Sequence, residues 1–307
     1  TIIKRFLSSI RRRTNMYELI NAAGGSYYIQ SPAKIGLVEL GGGKVCLIDS
    51  GSDKDAGRKV RQILDANSWT LEAIYNTHSN ADHIGGNRYL QNQTGCRVYA
   101  PGIECAFTRS PILEPSFLYG GYPCKELRHK FLLAQESDAS ELTRDVLPDG
   151  FELIELPGHF FDMAGFRTGD DVVYLADCLS SRETLEKYQI GFIYDVGAYL
   201  KTLEMVKTLR AKLFVPSHAP ACEDITALAD LNIAKVNETA EKITAVCAEP
   251  LNFEEILRRL FSGLSLTMTF EQYVLVGSTV RSYLSWLKDT GRLRAGFDNN
   301  LLLWERI

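Results

Sequence analysis

The chain has 307 residues, and its composition sets the first limits on the class of protein. With 45% hydrophobic residues it can bury a large core, which predicts one main domain with an appendage. The formal charge of −4 and the isoelectric point near 5.8 argue against a protein that binds nucleic acid by bulk electrostatic attraction. No apolar run approaches the ~18 residues of a membrane span, so we expect a soluble protein with no membrane partner.

The cysteines and the first residues bear on location. Seven cysteines without a Cys-X-X-Cys pair indicate reduced thiols of a cytoplasmic protein rather than a disulfide framework. Residues 1–15 form a basic leader that contains serine and no acidic residue. This composition fits a mitochondrial transit peptide, an ordered basic helix, or translated sequence before a start at Met16. Of the three, we expect a cleaved peptide least.

After Met16, strand patterns separated by glycine turns precede an alternation of helices and strands. The predicted elements are strands over Tyr27–Gln30, Ile35–Leu40 and Val45–Gly51, a helix over Asp55–Ala66, a strand over Ala73–Thr77, a helix over Asn87–Gln93 and a strand over Arg97–Ala100. The pattern indicates an α/β fold.

The stretch Thr77–Gly86 carries the most chemical information. It holds two of the five histidines, His78 and His83, with Asp82 beside the second. Imidazoles and carboxylates on a loop held by the end of a buried strand are the ligands of zinc and iron sites. Taken alone, the cluster fits a hydrogen-bonded surface loop about as well as a metal site. Residues elsewhere in the chain are needed to distinguish the two.

Residues 101–150 interrupt the alternation of helices and strands. They are rich in Pro, Tyr and Phe and show no long periodic segment, which predicts a loop insertion. An insertion of this kind serves as a lid or a dimer surface, or is a long packed loop. We predict that His129, between Arg128 and Lys130, is a solvated surface residue.

Three later strands each end in a ligand-type residue. The pairs are Phe151–Leu156 with His159, Asp171–Ala176 with Asp177, and Lys212–Pro216 with His218; a helix over Val196–Arg210 precedes the last strand. Every histidine except His129 therefore follows a predicted strand, which chance would not produce. We predict that Cys178 is a buried, inert thiol rather than a residue that supports a metal ligand.

The segment 249–307 is predicted to be a separate C-terminal domain. A helix over Ile225–Cys247 precedes it, and helices over Phe253–Phe261 and Phe270–Thr290 lead to a β-hairpin with its turn at Asp298–Asn300. This order is similar to a small winged-helix domain. Its basic residues are matched by acidic ones, so we expect it to pack on the main domain or close over a pocket rather than to bind nucleic acid.

Together these motifs resemble the metallo-β-lactamase superfamily over roughly residues 17–230. Leu47–Gly51 is similar to the early strand and turn of that family, and Thr77–Gly86 to its HxHxDH loop. Pro157-Gly158-His159, Asp177 and Ser217-His218 match the later ligand positions in order. The resemblance implies an αββα sandwich over 16–248, with metals at one edge between two sheets.

The resemblance also implies the metal ligands. In the family one metal takes three histidines, the other takes one aspartate and two histidines, and a further aspartate bridges them. Carried over by position, the second site is Asp82, His83 and His218 with Asp177 bridging, and the first has His78 and His159 but Asn80 as its middle residue. A neutral amide oxygen is a poorer ligand than imidazole. We therefore expect one tightly bound divalent ion, zinc before iron or manganese, and a second that is weak or absent.

A single metal suffices for hydrolysis, because it generates hydroxide at neutral pH. We expect a hydrolase that uses a metal-bound hydroxide on a small ester, thioester or lactone, with Asp82 orienting the water or taking its proton and Asn80 contacting substrate or water. The alternatives are a nuclease or phosphodiesterase of the same fold, an iron-dependent oxygenase, and a non-catalytic binding scaffold. A homodimer through 101–150 or the C-terminal domain is a further expectation.

Overall fold

The computed structural model describes residues 16–307, and the predicted leader at 1–15 lies outside the described residues. The strands are β1 Glu18–Ala23, β2 Ser26–Gln30, β3 Ile35–Gly41, β4 Lys44–Ile48, β5 Thr70–Tyr75, β6 Arg97–Ala100, β7 Ala139–Glu141, β8 Glu152–Glu155, β9 Ala164–Arg167, β10 Val172–Tyr174, β11 Leu213–Val215, β12 Leu293–Asp298 and β13 Leu301–Arg306. The helices are α1 Lys54–Ala66, α2 Ala81–Ile84, α3 Asn87–Thr94, α4 Glu104–Arg109, α5 Leu113–Tyr119, α6 Arg182–Tyr188, α7 Val196–Val206, α8 Thr226–Val246, α9 Phe253–Gly263 and α10 Phe270–Asp289.

The first sheet has seven strands in the order β1 to β7. Strands β1 to β4 pair antiparallel, and β4 to β7 pair parallel. The side chains of β4 alternate between two cores, as the pleat requires. Val45 and Leu47 pack with Val60 of α1, whereas Cys46 and Ile48 face the second sheet. This alternation places helices on the outer face and the other sheet on the inner face.

The second sheet has four strands in the order β11-β10-β9-β8. Strands β10 and β11 are parallel, and β9 is antiparallel to both β10 and β8. Tyr174 packs against Ile48 and Tyr75 of the first sheet, while Val173 packs among α7 and α8 on the other side. The predicted αββα sandwich is therefore confirmed.

The C-terminal elements share the core of the second sheet's outer layer. Ile256 of α9 and Val280 and Leu284 of α10 belong to the same buried cluster as Val206 and Ile243. The hairpin of β12 and β13 turns at Asn299 and Asn300, both of which have positive φ, as a tight two-residue hairpin turn requires. The predicted packing of this segment on the main domain is present, whereas its winged-helix assignment stays a prediction.

Residues 101–150 are more regular than the sequence predicted. They contain α4, α5, two short 3₁₀ turns and β7, which extends the first sheet beside β6. The prediction of a loop insertion missed β7, because a three-residue strand with one buried residue shows no alternation. Leu118 and Leu127 from this segment pack on Val274 of α10. Over residues 16–307, no helix combines the length and apolar character needed to cross a membrane.

Candidate metal centre

The first half of the site lies where parallel strands of the first sheet end. Strands β4 and β5 run in the same direction, so Asp49 after β4 and His78 after β5 lie at one edge, where α/β sheets form their sites. Backbone contact between these loops is close, since a Cβ on Gly86 would lie 2.3 Å from the carbonyl oxygen of Ser50. Glycine at this position therefore lets the loop Thr77–Gly86, called the metal loop below, pack against the end of β4.

The short helix α2 presents Asp82 and His83 from consecutive positions. Its first turn closes through a hydrogen bond from His83 N to the carbonyl of Asn80 at 2.9 Å, and Ser50 N donates to the carbonyl of His83 at 2.8 Å. His83 is fully buried, whereas the side chain of Asp82 is 40% exposed. The turn thus directs one ligand-type side chain inward and leaves the other accessible to solvent.

The second half comes from the second sheet. His159, Asp177 and His218 follow β8, β10 and β11, which all run in one direction, so their side chains meet at one edge. Gly158 has φ +117°, and a Cβ there would lie 2.2 Å from Tyr199 N, so only glycine fits before His159. The two sheets therefore bring all the predicted ligand positions together.

The first group of converging atoms comes from Asp82, His83, Asp177 and His218. Asp177 Oδ1 lies 3.0 Å from His83 Nε2, and Asp177 Oδ2 lies 3.0 Å from His218 Nε2. Asp82 Oδ2 lies 3.4 Å from His218 Nε2 and 3.8 Å from His83 Nε2. Ligands about 2.0–2.2 Å from a tetrahedral zinc ion would be roughly 3.3–3.6 Å apart, and the observed separations of 3.0 to 3.8 Å lie on both sides of that range.

The second group consists of His78, His159 and Asp177. His159 Nε2 lies 3.7 Å from Asp177 Oδ2, and the rings of His78 and His159 are 5.3 Å apart. Asn80 Oδ1 lies 3.3 Å from His159 Nε2, while its amide nitrogen donates to Glu114 Oε1 at 2.7 Å. Asn80 thus lies beside this group, with its oxygen toward His159.

Unsatisfied buried atoms show that these residues fit a cation. His78 Nε2, His83 Nε2 and Asp177 Oδ1 are buried and have no hydrogen-bond partner, although nearly all buried polar atoms in proteins have one. His83 Nε2 and Asp177 Oδ1 are 3.0 Å apart but lack hydrogen-bond geometry. Metal coordination by the nitrogen and oxygen lone pairs would satisfy all three atoms.

The charges of the site are strongly coupled. Burial alone would raise the pKa of Asp177, but the imidazoles of His218 and His83 outweigh burial and hold this pKa well below its usual value. Burial lowers the pKa of His218, yet Asp177 and Asp82 raise it to about 10. Burial, reinforced by His83, holds the pKa of His78 well below its usual value. A bound metal would replace the protons of the imidazoles, because it requires neutral histidine.

Asp49 fixes the orientation of His83 and the metal loop. Its Oδ2 lies 2.7 Å from His83 Nδ1 and accepts a hydrogen bond from Thr77 Oγ1 at 2.8 Å, while its Oδ1 accepts from Thr77 N at 2.8 Å. Thr77 Oγ1 in turn lies 2.9 Å from His78 Nδ1. A carboxylate behind a ligand histidine sets its tautomer and raises its basicity. The sequence motif Leu47–Gly51 contains Asp49, but its role in orienting His83 was not predicted.

Two buried glutamates from 101–150 hold the same loop from the other side. Glu104 accepts from Ser79 Oγ at 2.5 Å, from Ser79 N at 3.1 Å, and from Asp162 N at 3.0 Å. Burial raises the pKa of Glu104 to about 7. Burial also raises the pKa of Glu114 well above its usual value, although the hydrogen bond from Asn80 opposes this. Neither residue was predicted from the sequence, since nothing local marks an acidic residue as buried.

Lys34 holds the loop that carries His218. Its ammonium donates to the carbonyls of Ala219 at 2.5 Å and Pro216 at 3.3 Å, and its backbone N donates to Ser217 O at 3.2 Å. Burial lowers the pKa of Lys34 to about 8, although Asp177 opposes this shift. Lys34 therefore fixes the backbone on both sides of His218.

Outside the ligand set, the structure corrects one prediction and agrees with another. His129 is not a free surface residue, because its Nε2 lies 3.1 Å from Glu271 Oε1 of α10 and only 29% of its side chain is exposed. The sequence neighbours of His129 could not reveal this partner, which is 142 residues away. Cys178 is fully buried, and burial raises the pKa of its thiol, as expected for an inert cysteine.

An aromatic wall borders the His159 side of the centre. Phe192 packs edge-on against the ring of His159 at 5.5 Å, and Phe160 lies 6.0 Å from Phe192. Tyr194 lies 4.1 Å from Phe161. Among the charged and imidazole side chains of the centre, Asp82 is the most exposed, at 40%, so the centre is most accessible beside Asp82.

Residues 30–218 match the sequence model of the metallo-beta-lactamase superfamily. The match covers well over half of the chain, which therefore belongs to the metallo-beta-lactamase superfamily. This confirms the predicted family and places the chain in a class of metallo-hydrolases. Proteins of the superfamily use divalent metals, usually zinc, which agrees with the donor set described above.

Curated relatives match over parts of the chain only. A hydroxyacylglutathione hydrolase of Rhodopseudomonas palustris (strain BisB18) is 27% identical over 166 residues, 53% of this chain and 54% of the relative. A protein of the same name from Bradyrhizobium sp. (strain ORS 278) is 51% identical over 47 residues, 15% of this chain and 18% of the relative. In these comparisons the chain spans about half, or less, of the relatives' length.

Solved structures agree along nearly the whole chain. A beta-lactamase domain protein from Burkholderia ambifaria superposes with a TM-score of 0.75 at 16% identity, covering 99% of this chain and 96% of the other. A metallo-beta-lactamase family protein from Thermus thermophilus gives 0.70 at 20% identity, covering 92% and 99%. At these identities the likeness establishes the fold alone.

Proposed function

We propose that the protein is a metal-dependent hydrolase of small thioesters or related esters and lactones. The observation that carries the proposal is that His78, His83 and Asp177 converge, and that each of them has a buried side-chain atom without a hydrogen-bond partner. Support for a thioester comes from the relatives named hydroxyacylglutathione hydrolase. A divalent ion held there would lower the pKa of water and polarise a substrate carbonyl.

The chain's own residues have separate tasks in this proposal. Asp82 is the proton acceptor for the attacking water, because it is 40% exposed and yet lies 3.4 Å from His218 Nε2. Asp177 lies between the two histidine pairs, and its carboxylate would compensate the positive charge of the bound ion. Phe192 packs against His159, whereas the side chain of Asp82 is 40% exposed, so the carbonyl is approached from the Asp82 side.

The charge distribution gives less support to a nuclease. In the C-terminal segment, Arg259 contacts Glu249 and Glu255, and Arg294 contacts Glu305. Arginines already paired with carboxylates offer little charge to a phosphate backbone. For this reason the small-molecule hydrolase is the preferred proposal, and zinc is preferred over iron because the relatives it resembles are hydrolases by name.

The test uses metal-free protein reloaded with zinc and an S-(hydroxyacyl)glutathione as substrate, with release of thiol as the readout. We expect hydrolysis that a chelator abolishes and zinc restores. Asp177→Asn should lose both metal and activity, while Asp149→Asn, at an exposed position, should keep both. Activity unchanged by chelation would contradict the proposal, as would turnover that depends on iron and oxygen.

A further inference from the structure

A small cavity adjoins the metal centre on the side of the second sheet's helices. It has a volume of about 70 Å³ and shares His159 and Asp177 with the centre. Lys235 of α8 also lines it, and the loop at Phe192 forms another wall. A space of this size can hold a small polar group. A substrate whose reacting carbonyl lies at the metal centre can therefore extend a short arm into this cavity.

Lys235 is the one lysine or arginine that lines the cavity, among the residues the structure describes there. Only 16% of its side chain is exposed. Its ammonium has two acceptors, Gln189 Oε1 and Glu238 Oε2, and both are 3.3 Å away. Glu238 makes a closer contact of 2.5 Å with Lys242, so one carboxylate serves two ammonium groups. An ammonium has three donors, so two accepted hydrogen bonds leave one donor for an anion.

Two other polar side chains of the cavity, Asn232 and Tyr199, are already engaged. The side chain of Asn232 accepts from Ser180 N at 3.0 Å and donates to the carbonyls of Ser180 at 3.0 Å and Leu228 at 2.8 Å. Tyr199 Oη donates to the carbonyl of Cys178 at 2.9 Å. These contacts hold the loop after Asp177 in place and leave Lys235 as the group that can select a substrate.

We propose that Lys235 makes this cavity an anion subsite, and that the preferred substrates carry a carboxylate on a short arm beside the scissile bond. The inference rests on the proposed function, which supplies the hydrolysis. The preference for a negatively charged substrate comes from the cavity. It names the substrate class more closely, as acidic thioesters or esters. Neutral and amine-bearing analogues are then poorer substrates.

The experiment compares two thioesters that differ only at the far end. They are S-acetyl-3-mercaptopropionate and its carboxamide, both assayed with the zinc-loaded protein. We expect kcat/KM to favour the carboxylate by about tenfold or more, as for a hydrogen bond to a charged group, mainly through KM. The preference should vanish in Lys235→Met and persist in Lys235→Arg.

Lys242→Met is the matched control, because Lys242 lies on the same helix and contacts the same Glu238 but does not line the cavity. It should retain the carboxylate preference. Equal rates for the two thioesters in the native protein would overturn the proposal, as would a preference that survives in Lys235→Met.

Binding separates this inference from the proposed hydrolysis. If neither thioester is cleaved, the hydrolase proposal fails, and the unreactive thioether 3-(ethylthio)propionate and its amide still test the subsite by calorimetry. Binding of the carboxylate that is lost in Lys235→Met, but not in Lys242→Met, would uphold the subsite alone. Binding of the carboxylate that is equal in the native protein and Lys235→Met, or absent from both, would overturn it.

Discussion

The side-chain amide of Asn80 donates to the buried carboxyl of Glu114 at 2.7 Å, and this contact sets which way the amide faces. Its oxygen is thereby directed at His159, 3.3 Å from Nε2. Glu114 is only 4% exposed, and it accepts from the amide through a carbonyl oxygen even when it is protonated. Asn80 is therefore a fixed part of the site's architecture rather than a loose replacement for histidine.

Removing the Asn80 amide should leave Glu114 buried with one partner fewer. We expect Asn80→Ala to lower the free energy of unfolding of the metal-free protein by about 1–3 kcal/mol, the usual cost of an unsatisfied buried group. Denaturant unfolding at neutral pH measures this. Asn92→Ala, at an exposed position of α3, should change stability by no more than about 0.5 kcal/mol. Equal effects of the two substitutions would show that the contact with Glu114 contributes nothing.

Asp49 should matter for metal affinity without touching the metal. Asp49→Ala removes the carboxylate 2.7 Å from His83 Nδ1, so His83 and Thr77 lose their fixed orientation. We expect zinc affinity to fall about 10–100-fold, as for other residues that orient ligands. Competition with a chromophoric chelator measures the affinity. Asp53→Asn, which affects the cap of α1 and the ion pair with Lys130, should leave zinc affinity unchanged, and an unchanged affinity in Asp49→Ala would refute this role.

Glu104 should make stability depend on pH. Its pKa is about 7 in the folded protein and near 4.5 in the unfolded chain, so between these values the folded state holds the extra proton. The free energy of unfolding therefore falls as pH rises through this window, by up to about 3 kcal/mol. Glu104→Gln cannot titrate. The difference in stability between native protein and variant, both metal-free, should shrink or reverse from pH 4.5 to 8, and a constant difference would contradict the assignment.

The ligand positions could be predicted because they follow from local rules. Each of His159, Asp177 and His218 stands three or four residues after the end of a strand, and strands of one direction place their ends at one edge. Periodicity also located the long helices, since α8 and α10 begin and end within one residue of the predicted bounds. For these ligand positions and helices, the local sequence pattern and the tertiary structure agree.

The supporting residues could not be predicted, because their burial depends on distant parts of the chain. Glu104 and Glu114 lie on short helices without a clear period, and only the folded loop at Ser79 and Asn80 gives them partners. Lys235 is similar, since its helix shows no sign of the cavity it borders. The strands β1, β7 and β9 and the helix α6 were also missed, since short elements leave too few positions to show a period.

The most direct test of the account is the zinc content of protein that is purified without added metal and dialysed extensively. We expect about one equivalent per chain, because Asp82, His83, Asp177 and His218 provide four strong ligands while Asn80 weakens the neighbouring group. Asn80→His should raise the content to about two. Two equivalents in the native protein would contradict the account, and no metal in either protein would remove its basis.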